Sequence, residues 1–255
     1  MPKVFGVLGD SHANRRRTIR ALEVCVDNGI STILQCGDFG YFPRAANGER
    51  FLEDVSNFLV RNNMELSFIS GNHEDYDSIE GWVNDHENWR TADEPKEVMP
   101  NLYYLPDAYV WDNWGVTIGV LGGGTSIDKD MRTEGWDWFP QEVVSESSAE
   151  KLSEHKLDIL MTHDCGGGIL DYRYVESNKN LSDEILFNLR QDDRIIGEVR
   201  KATEPQIHVC GHHHIQHSHK DGDTMLYGLT YDGHTDGWLA VIDTNDMRLW
   251  HLRVL

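Results

Sequence analysis

The chain has 255 residues, 39% of them hydrophobic, enough to bury the core of one α/β domain, so residues 1–255 are read as a single domain. A formal net charge of −20 disfavours long nucleic acid as a partner, because an acidic surface repels a polyanion unless a local patch or bound cations reverse the field. No apolar run approaches the ~20 residues of a membrane span, which argues against a membrane protein.

Val4–Leu8 opens the series of elements as a short buried strand, too brief for the core of a signal peptide. A helical pattern near Arg16–Asn28 follows, then a strand at Thr32–Gln35, a helix at Phe51–Arg61 and a strand at Leu66–Ser70. This βαβα rhythm predicts a parallel sheet whose site lies at the carboxyl ends of its strands. Past Pro100 come strand candidates at Tyr109–Trp111 and Thr117–Leu121, then a long Gly- and Trp-rich loop from Gly122 to Pro140. Helices at Ser145–His155 and Asp183–Lys201 lead into buried strands at Asp158–Thr162 and Ile207–Cys210. Met225–Leu229, Trp238–Ile242 and Arg248–Val254 are predicted to close the fold as antiparallel strands, with Asn245-Asp246 as a hairpin turn. Cys25, Cys36, Cys165 and Cys210 form no close CxxC pair and no dense scaffold, so reduced thiols in a soluble, cytoplasmic protein are expected.

Five of the apolar runs end in side chains able to bind metal: Asp10-Ser11-His12, Gly37-Asp38, Gly71-Asn72-His73-Glu74, Thr162-His163-Asp164 and Gly211-His212-His213-His214. Strand ends of one sheet converge, so these groups can meet although they are distant in sequence. Mixed imidazole, carboxylate and amide donors suit Mn²⁺, Fe²⁺ or Zn²⁺ better than Ca²⁺, and the supply is sufficient for two ions. A shared carboxylate can hold such a pair ~3.5–4 Å apart, where it clamps a phosphoryl oxygen and activates a bridging water, an arrangement suited to phosphoester hydrolysis.

In this order, D-x-H, G-D, G-N-H-E, H and G-H-x-H, the set resembles the motif series of the calcineurin-like metallophosphoesterases from Asp10 to His214. The resemblance implies an α/β fold in which a β-sandwich of two mixed sheets is flanked by helices, in four layers. It implies that Asp10, His12 and His214 hold one ion, that Asn72, His163 and His212 hold the other, and that Asp38 bridges them. His73 then faces the leaving group as a general acid. Glu74, Asp75 and Asp164 are open as its acidic partner. The stretch from Gly122-Gly123-Gly124 through Arg132, Trp136 and Trp138 resembles a loop of some bacterial and phage members. Its glycines lack the Gly-Lys-Ser/Thr ending of a P-loop.

Asn14, Arg15, Arg44 and Arg132 are the candidate substrate contacts. Trp136 and Trp138 either stack a base or anchor the loop. His213, His217 and His219 are read as turn or pocket-wall residues. The expected activity is hydrolysis of small phosphodiesters, nucleoside cyclic phosphates among them, by a hydroxide bridging two ions, Mn most favoured. Phosphomonoester hydrolysis, protein phosphatase activity included, and a non-catalytic scaffold are the alternatives. Gly37-Asp38-Phe39-Gly40 departs from the G-D-x-x-D-R-G pattern of the Ser/Thr phosphatases, which counts against the protein phosphatase reading.

Overall fold

The computed structural model describes residues 4–81, 87–113, 115–168 and 181–255. Its first half runs β1 (Val4–Leu8), α1 (Arg15–Asp27), β2 (Thr32–Gln35), α2 (Ala46–Arg61), β3 (Glu65–Phe68), the single turn α3 (Tyr76–Ile79), β4 (Lys96–Met99) and β5 (Leu102–Tyr104). The second half runs β6 (Val110–Asn113), β7 (Val116–Leu121), α4 (Glu146–Ser153), β8 (Ile159–Thr162), α5 (Asp183–Thr203), β9 (Ile207–Cys210), β10 (His217–Asp221), β11 (Thr224–Gly228), β12 (Leu239–Asp243) and β13 (Arg248–Leu252).

Seven strands form one sheet in the order β13-β12-β1-β2-β3-β5-β4, and six form the other in the order β10-β11-β9-β8-β7-β6. Both are mixed. In the first, β1, β2, β3 and β5 pair in parallel and β12, β13 and β4 pair antiparallel. In the second, β7, β8, β9 and β11 are parallel, and β6 and β10 close the edges. Side-chain alternation along the strands separates the layers. Phe5 and Val7 enter an apolar layer with Leu34, Cys36, Ile69, Val120, Met161 and Val209 between the sheets, whereas Leu8 and Ile33 pack under α1 and α2. A third cluster, with Leu152, Leu160 and Ile196, seats α4 and α5 on the outside of the second sheet. Helix, sheet, sheet and helix thus make the four layers expected.

The helices follow from their apolar stripes. In α1 the buried positions are Thr18, Ala21, Leu22 and Cys25, spaced by three and four, and Asn14 caps the start by accepting from Arg17 N–H. Strands β4, β5 and β10 were not expected from the sequence. The first two are short, and β10, His217-Ser218-His219-Lys220-Asp221, is polar throughout and exposed along most of its length. Edge strands can be polar because only one side pairs. Its recognition corrects the reading of His217 and His219, which belong to a strand rather than to a turn or pocket wall.

The expectation of four reduced thiols also needs correction, because Cys165 and Cys210 are joined as a disulfide, with their Cα atoms 5.3 Å apart. The two lie 45 residues apart in sequence, but β8 and β9 are neighbouring parallel strands, so residues at and just beyond their ends are adjacent in space. Cys25 and Cys36 are free and buried. No helix among the described residues is long and apolar enough to cross a membrane.

Candidate metal centre

The carboxyl ends of β1, β2, β3, β8 and β9 meet at one edge of the sandwich, and the five motifs meet there. Asp10, Asp38, Asn72 and His163 are buried, while His12, His212 and His214 are partly open to solvent. Ligand atoms gather in overlapping sets, Asp10 with His12 and His214, Asp10 with Asp38 and His163, and His12 with Asp38 and His73. Within each set these atoms lie within 4.8 Å of one another. His12, Asp38, His212 and His214 have φ of 44°, 54°, 65° and 59°, left-handed backbone that a non-glycine residue adopts only at a cost.

Asp38 lies between the two halves of the centre. Its Oδ1 is 3.4 Å from His163 Nε2 and accepts the His73 backbone N–H at 2.7 Å, whereas Oδ2 is 3.4 Å from His12 Nε2. On one side, His214 Nε2 is 3.0 Å from Asp10 Oδ2. On the other, Asn72 Oδ1 lies 3.0 Å from His163 Nε2 and 2.9 Å from His212 Nδ1. Asn72 owes this orientation to Ser126, whose Oγ accepts from its Nδ2 at 2.9 Å. His163 owes its own to the Cys36 carbonyl, which accepts from Nδ1 at 2.8 Å and turns Nε2 toward Asp38 and Asn72. Burial lowers the His163 pKa, but Asp38 and Asp10 outweigh it and raise it, a field that holds a proton here and would equally hold a metal cation, so the donor set fits a metal.

The electrostatics agree. Burial works against charge on His12, yet its bonds to Asp232 and Asp38 carry it up to about 11. Burial raises the Asp38 carboxyl, but His163, His73 and His12 outweigh it and hold that group well below the usual carboxylate range. The carboxylates therefore draw positive charge into the centre. His212 is pushed down to about 3 by burial, which keeps its imidazole neutral and available as a donor.

The structure also shows two supports that the sequence reading missed. Asp232 accepts from His12 Nδ1 at 3.2 Å and from Asn14 Nδ2 at 2.5 Å, so the pair Asn14 and Asp232 orients His12 from behind. It follows Leu229 by three residues and β11 ends beside β9, so a sixth strand-end acid was a signal available in the sequence. Tyr231 stacks on His214, with ring centroids 4.3 Å apart.

None of the three acids open as the partner of His73 is turned toward it. Glu74 accepts the backbone N–H groups of Gly40 at 2.9 Å and Gly71 at 2.5 Å. Asp75 caps α3 and pairs with Arg44. Asp164 pairs with His213 at 2.8 Å. Arg132 is the neighbour instead, with Nη2 3.2 Å from His73 Nδ1 and 3.1 Å from the Asn72 carbonyl, and Nη1 bonded to Ser126. Burial lowers the His73 pKa, Asp38 raises it and Arg132 lowers it, with a net fall.

The other candidate contacts lie further out. Arg15 is bound to Asp54 at 2.5 Å and is largely exposed. Arg44 pairs with Asp75 and Asp77 beside a cavity of about 170 Å³ lined by Phe42, Ala45, Asp75, Trp136 and Asp137. Trp138 is a loop anchor, since its Nε1 donates to Glu142 at 2.9 Å and Lys129 sits 4.4 Å above its ring. Trp136 is 71% exposed.

A family model described as calcineurin-like phosphoesterase matches residues 3–216. No curated protein matches the chain in sequence. One solved structure is 12% identical with a TM-score of 0.60 and covers 100% of both chains. The protein TT1561 of Thermus thermophilus is 13% identical at a TM-score of 0.55, over 99% of this chain and 100% of its own. A Staphylococcus aureus protein provisionally named a 5′-nucleotidase is 16% identical at a TM-score of 0.55, over 99% of this chain but 54% of its own. At these identities the likeness establishes the fold.

Proposed function

This chain belongs to the calcineurin-like phosphoesterase family, and from that premise we propose that it hydrolyses small phosphodiesters, nucleoside cyclic phosphates among them. Asp10, His12, Asp38, Asn72, His163, His212 and His214 would hold two divalent ions. The observation that carries this reading is the convergence of carboxylate and imidazole ligand atoms at the strand ends, with Asp38 reaching His12 through one oxygen and His163 through the other. When bound, such ions supply Lewis acidity toward phosphoryl oxygens and a water activated for attack, and the imidazole-carboxylate set favours Mn²⁺, with Fe²⁺ or Zn²⁺ as alternatives.

The side chains divide the remaining work. Asp38 joins both halves through its two oxygens, Ser126 fixes the amide of Asn72, and Asp232 fixes the ring of His12. His73 stands beside Asp38 and Arg132 and donates from its ring to the departing oxygen.

Preference for a diester rests on charge. A monoester dianion would need more cationic groups around the centre than a diester monoanion does. Arg15, Arg44 and Arg132 each face carboxylates, Asp54 for the first, Asp75 and Asp77 for the second, Glu142 and Asp128 for the third. The net charge of −20 repels longer polyanions. Trp136, exposed at the rim of the cavity beside Phe42, offers a face on which a base can stack.

The test compares kcat/KM for p-nitrophenyl phosphate, bis-p-nitrophenyl phosphate, a 2′,3′-cyclic nucleotide, a phosphopeptide and plasmid DNA under one metal condition. The small diesters are expected to be fastest. Faster turnover of phosphopeptide, plasmid or monoester than of every diester would overturn the preference. A chelator should abolish turnover, with Mn²⁺ restoring it better than Mg²⁺, which binds imidazole poorly.

A further inference from the structure

We propose that Cys165, Cys210 and His217 form a second, thiolate-containing metal site that takes a soft divalent ion such as Zn²⁺ once the Cys165–Cys210 disulfide is reduced. A ring nitrogen of His217 and the two sulfurs lie within 4.8 Å of one another, although the three residues come from the β8 loop, the end of β9 and the edge strand β10. Two sulfurs and one imidazole are the protein ligands of a three-residue zinc site whose fourth position is open to water.

His217 is prepared for the role. Its Nδ1 donates to the Ile215 carbonyl at 3.1 Å, which leaves Nε2 with a lone pair. That Nε2 is buried and has no hydrogen-bond partner among the described residues. A buried acceptor left unsatisfied is costly, and a ligand-bound ion removes the cost. Opposite His217 on β11 stands Gly228, where an added Cβ would fall 2.0 Å from the imidazole Cε1. Any larger residue there would collide with the ring in its present position. Leu226 packs with the two cysteines and makes their surroundings apolar.

The chemistry balances. Two molecules of a small thiol reduce the bond, yielding two protein thiols and one small-molecule disulfide, and capture of the ion then releases both thiol protons to solvent. The placement gives the exchange a consequence. Cys165 lies two residues after His163 and Cys210 two residues before His212, so the sulfurs tie together the loops that present two ligands of the catalytic centre. Under oxidising conditions the tie is a covalent bond, and under reducing conditions the ion replaces it.

Co²⁺ distinguishes this site from the catalytic centre, whose ligands include no sulfur. The whole chain, reduced with a thiol and freed of it under argon, is titrated with Co²⁺ and followed for near-ultraviolet sulfur-to-cobalt charge transfer. Thiol titration of the unfolded protein before and after reduction checks that two thiols have been released. The band is expected in the reduced protein, absent from the oxidised protein, and lost in Cys165→Ser and in Cys210→Ser. His217→Ala should weaken Co²⁺ affinity at this site by more than about tenfold, the low end of what losing even an outer-shell partner costs. His217 lies on the edge strand, so that variant keeps the test decisive should a serine variant fail to fold. A reduced protein with no band, a band that survives Cys165→Ser, or His217→Ala with unchanged affinity would overturn the proposal.

Discussion

Nη2 of Arg132 lies 3.2 Å from Nδ1 of His73. A guanidinium only donates, so Nδ1 of His73 accepts, and the proton of the neutral ring resides on Nε2. Arg132 thereby selects the tautomer in which His73 donates from Nε2, the ring atom remote from the arginine. It also disfavours an imidazolium, in line with the lowered pKa.

His73→Ala should therefore keep both metals and lose about 10²–10³-fold in kcat, the range for removing one hydrogen-bond donor aimed at a developing oxyanion. Arg132→Met should lose less and retain its metals. Its deficit should grow as the leaving group becomes poorer, because a mispositioned donor matters most where the departing oxygen carries the most negative charge. Equal losses for p-nitrophenol and an aliphatic alcohol as leaving groups would remove Arg132 from this role.

Asp38→Ala should lose occupancy at both metal positions, whereas His163→Ala should weaken mainly one, because only the carboxylate reaches both His12 and His163. Metal content measured by mass spectrometry after gel filtration decides between these patterns. Single-site losses of equal size in the two variants would contradict the bridging assignment.

Asp232→Asn leaves His12 in place but weakens the acceptor that orients its ring. Loss of such an outer partner typically costs about 10–100-fold in metal affinity. The loss should fall on one ion, since the bonds of Asn72 to Ser126 and of His163 to Cys36 are untouched. Calorimetric titration with Mn²⁺ should resolve one weakened and one unchanged step.

Asp192 gives a pH signature that is independent of catalysis. It is buried on α5, accepting from Thr125 Oγ1 at 2.5 Å and from Val144 N–H at 3.1 Å, and burial pushes its carboxyl up to about 7 from 3.8. Between those values the folded chain binds one more proton than the unfolded chain. The stability it contributes is thus full below about pH 4 and is lost as pH rises through about 7, by an amount on the order of 2–4 kcal/mol. Asp192→Asn should flatten this slope and raise Tm at pH 8 relative to the parent. An unchanged difference in Tm between pH 5 and pH 8 would refute the assignment.

The strand-end motifs were legible because each follows an apolar run, and parallel topology then makes neighbours of Asp10, Asp38, Asn72, His163 and His212. What the sequence concealed was mostly the neighbour behind the neighbour. Asp232 comes from beyond β11, near the edge of the second sheet, where its place after an apolar run marks a strand-end acid but does not name His12 as its partner. Arg132 reaches His73 only because the Gly122–Pro140 loop folds back over the third motif, a path that hydrophobic periodicity does not encode. The disulfide was missed for a related reason. Cysteine spacing along the chain conveys nothing about two strands that become adjacent only once α5 has been wound between them.

The left-handed backbone at His12, Asp38, His212 and His214 has a consequence for the descendants of such a chain. Each of these residues holds a conformation that costs an L side chain roughly 1–2 kcal/mol and costs glycine almost nothing. Replacing His212 by Gly would discard a ligand and relax the main chain in the same step. At each of these four positions a glycine would relieve backbone strain, which offsets part of what the lost side chain contributed to the fold.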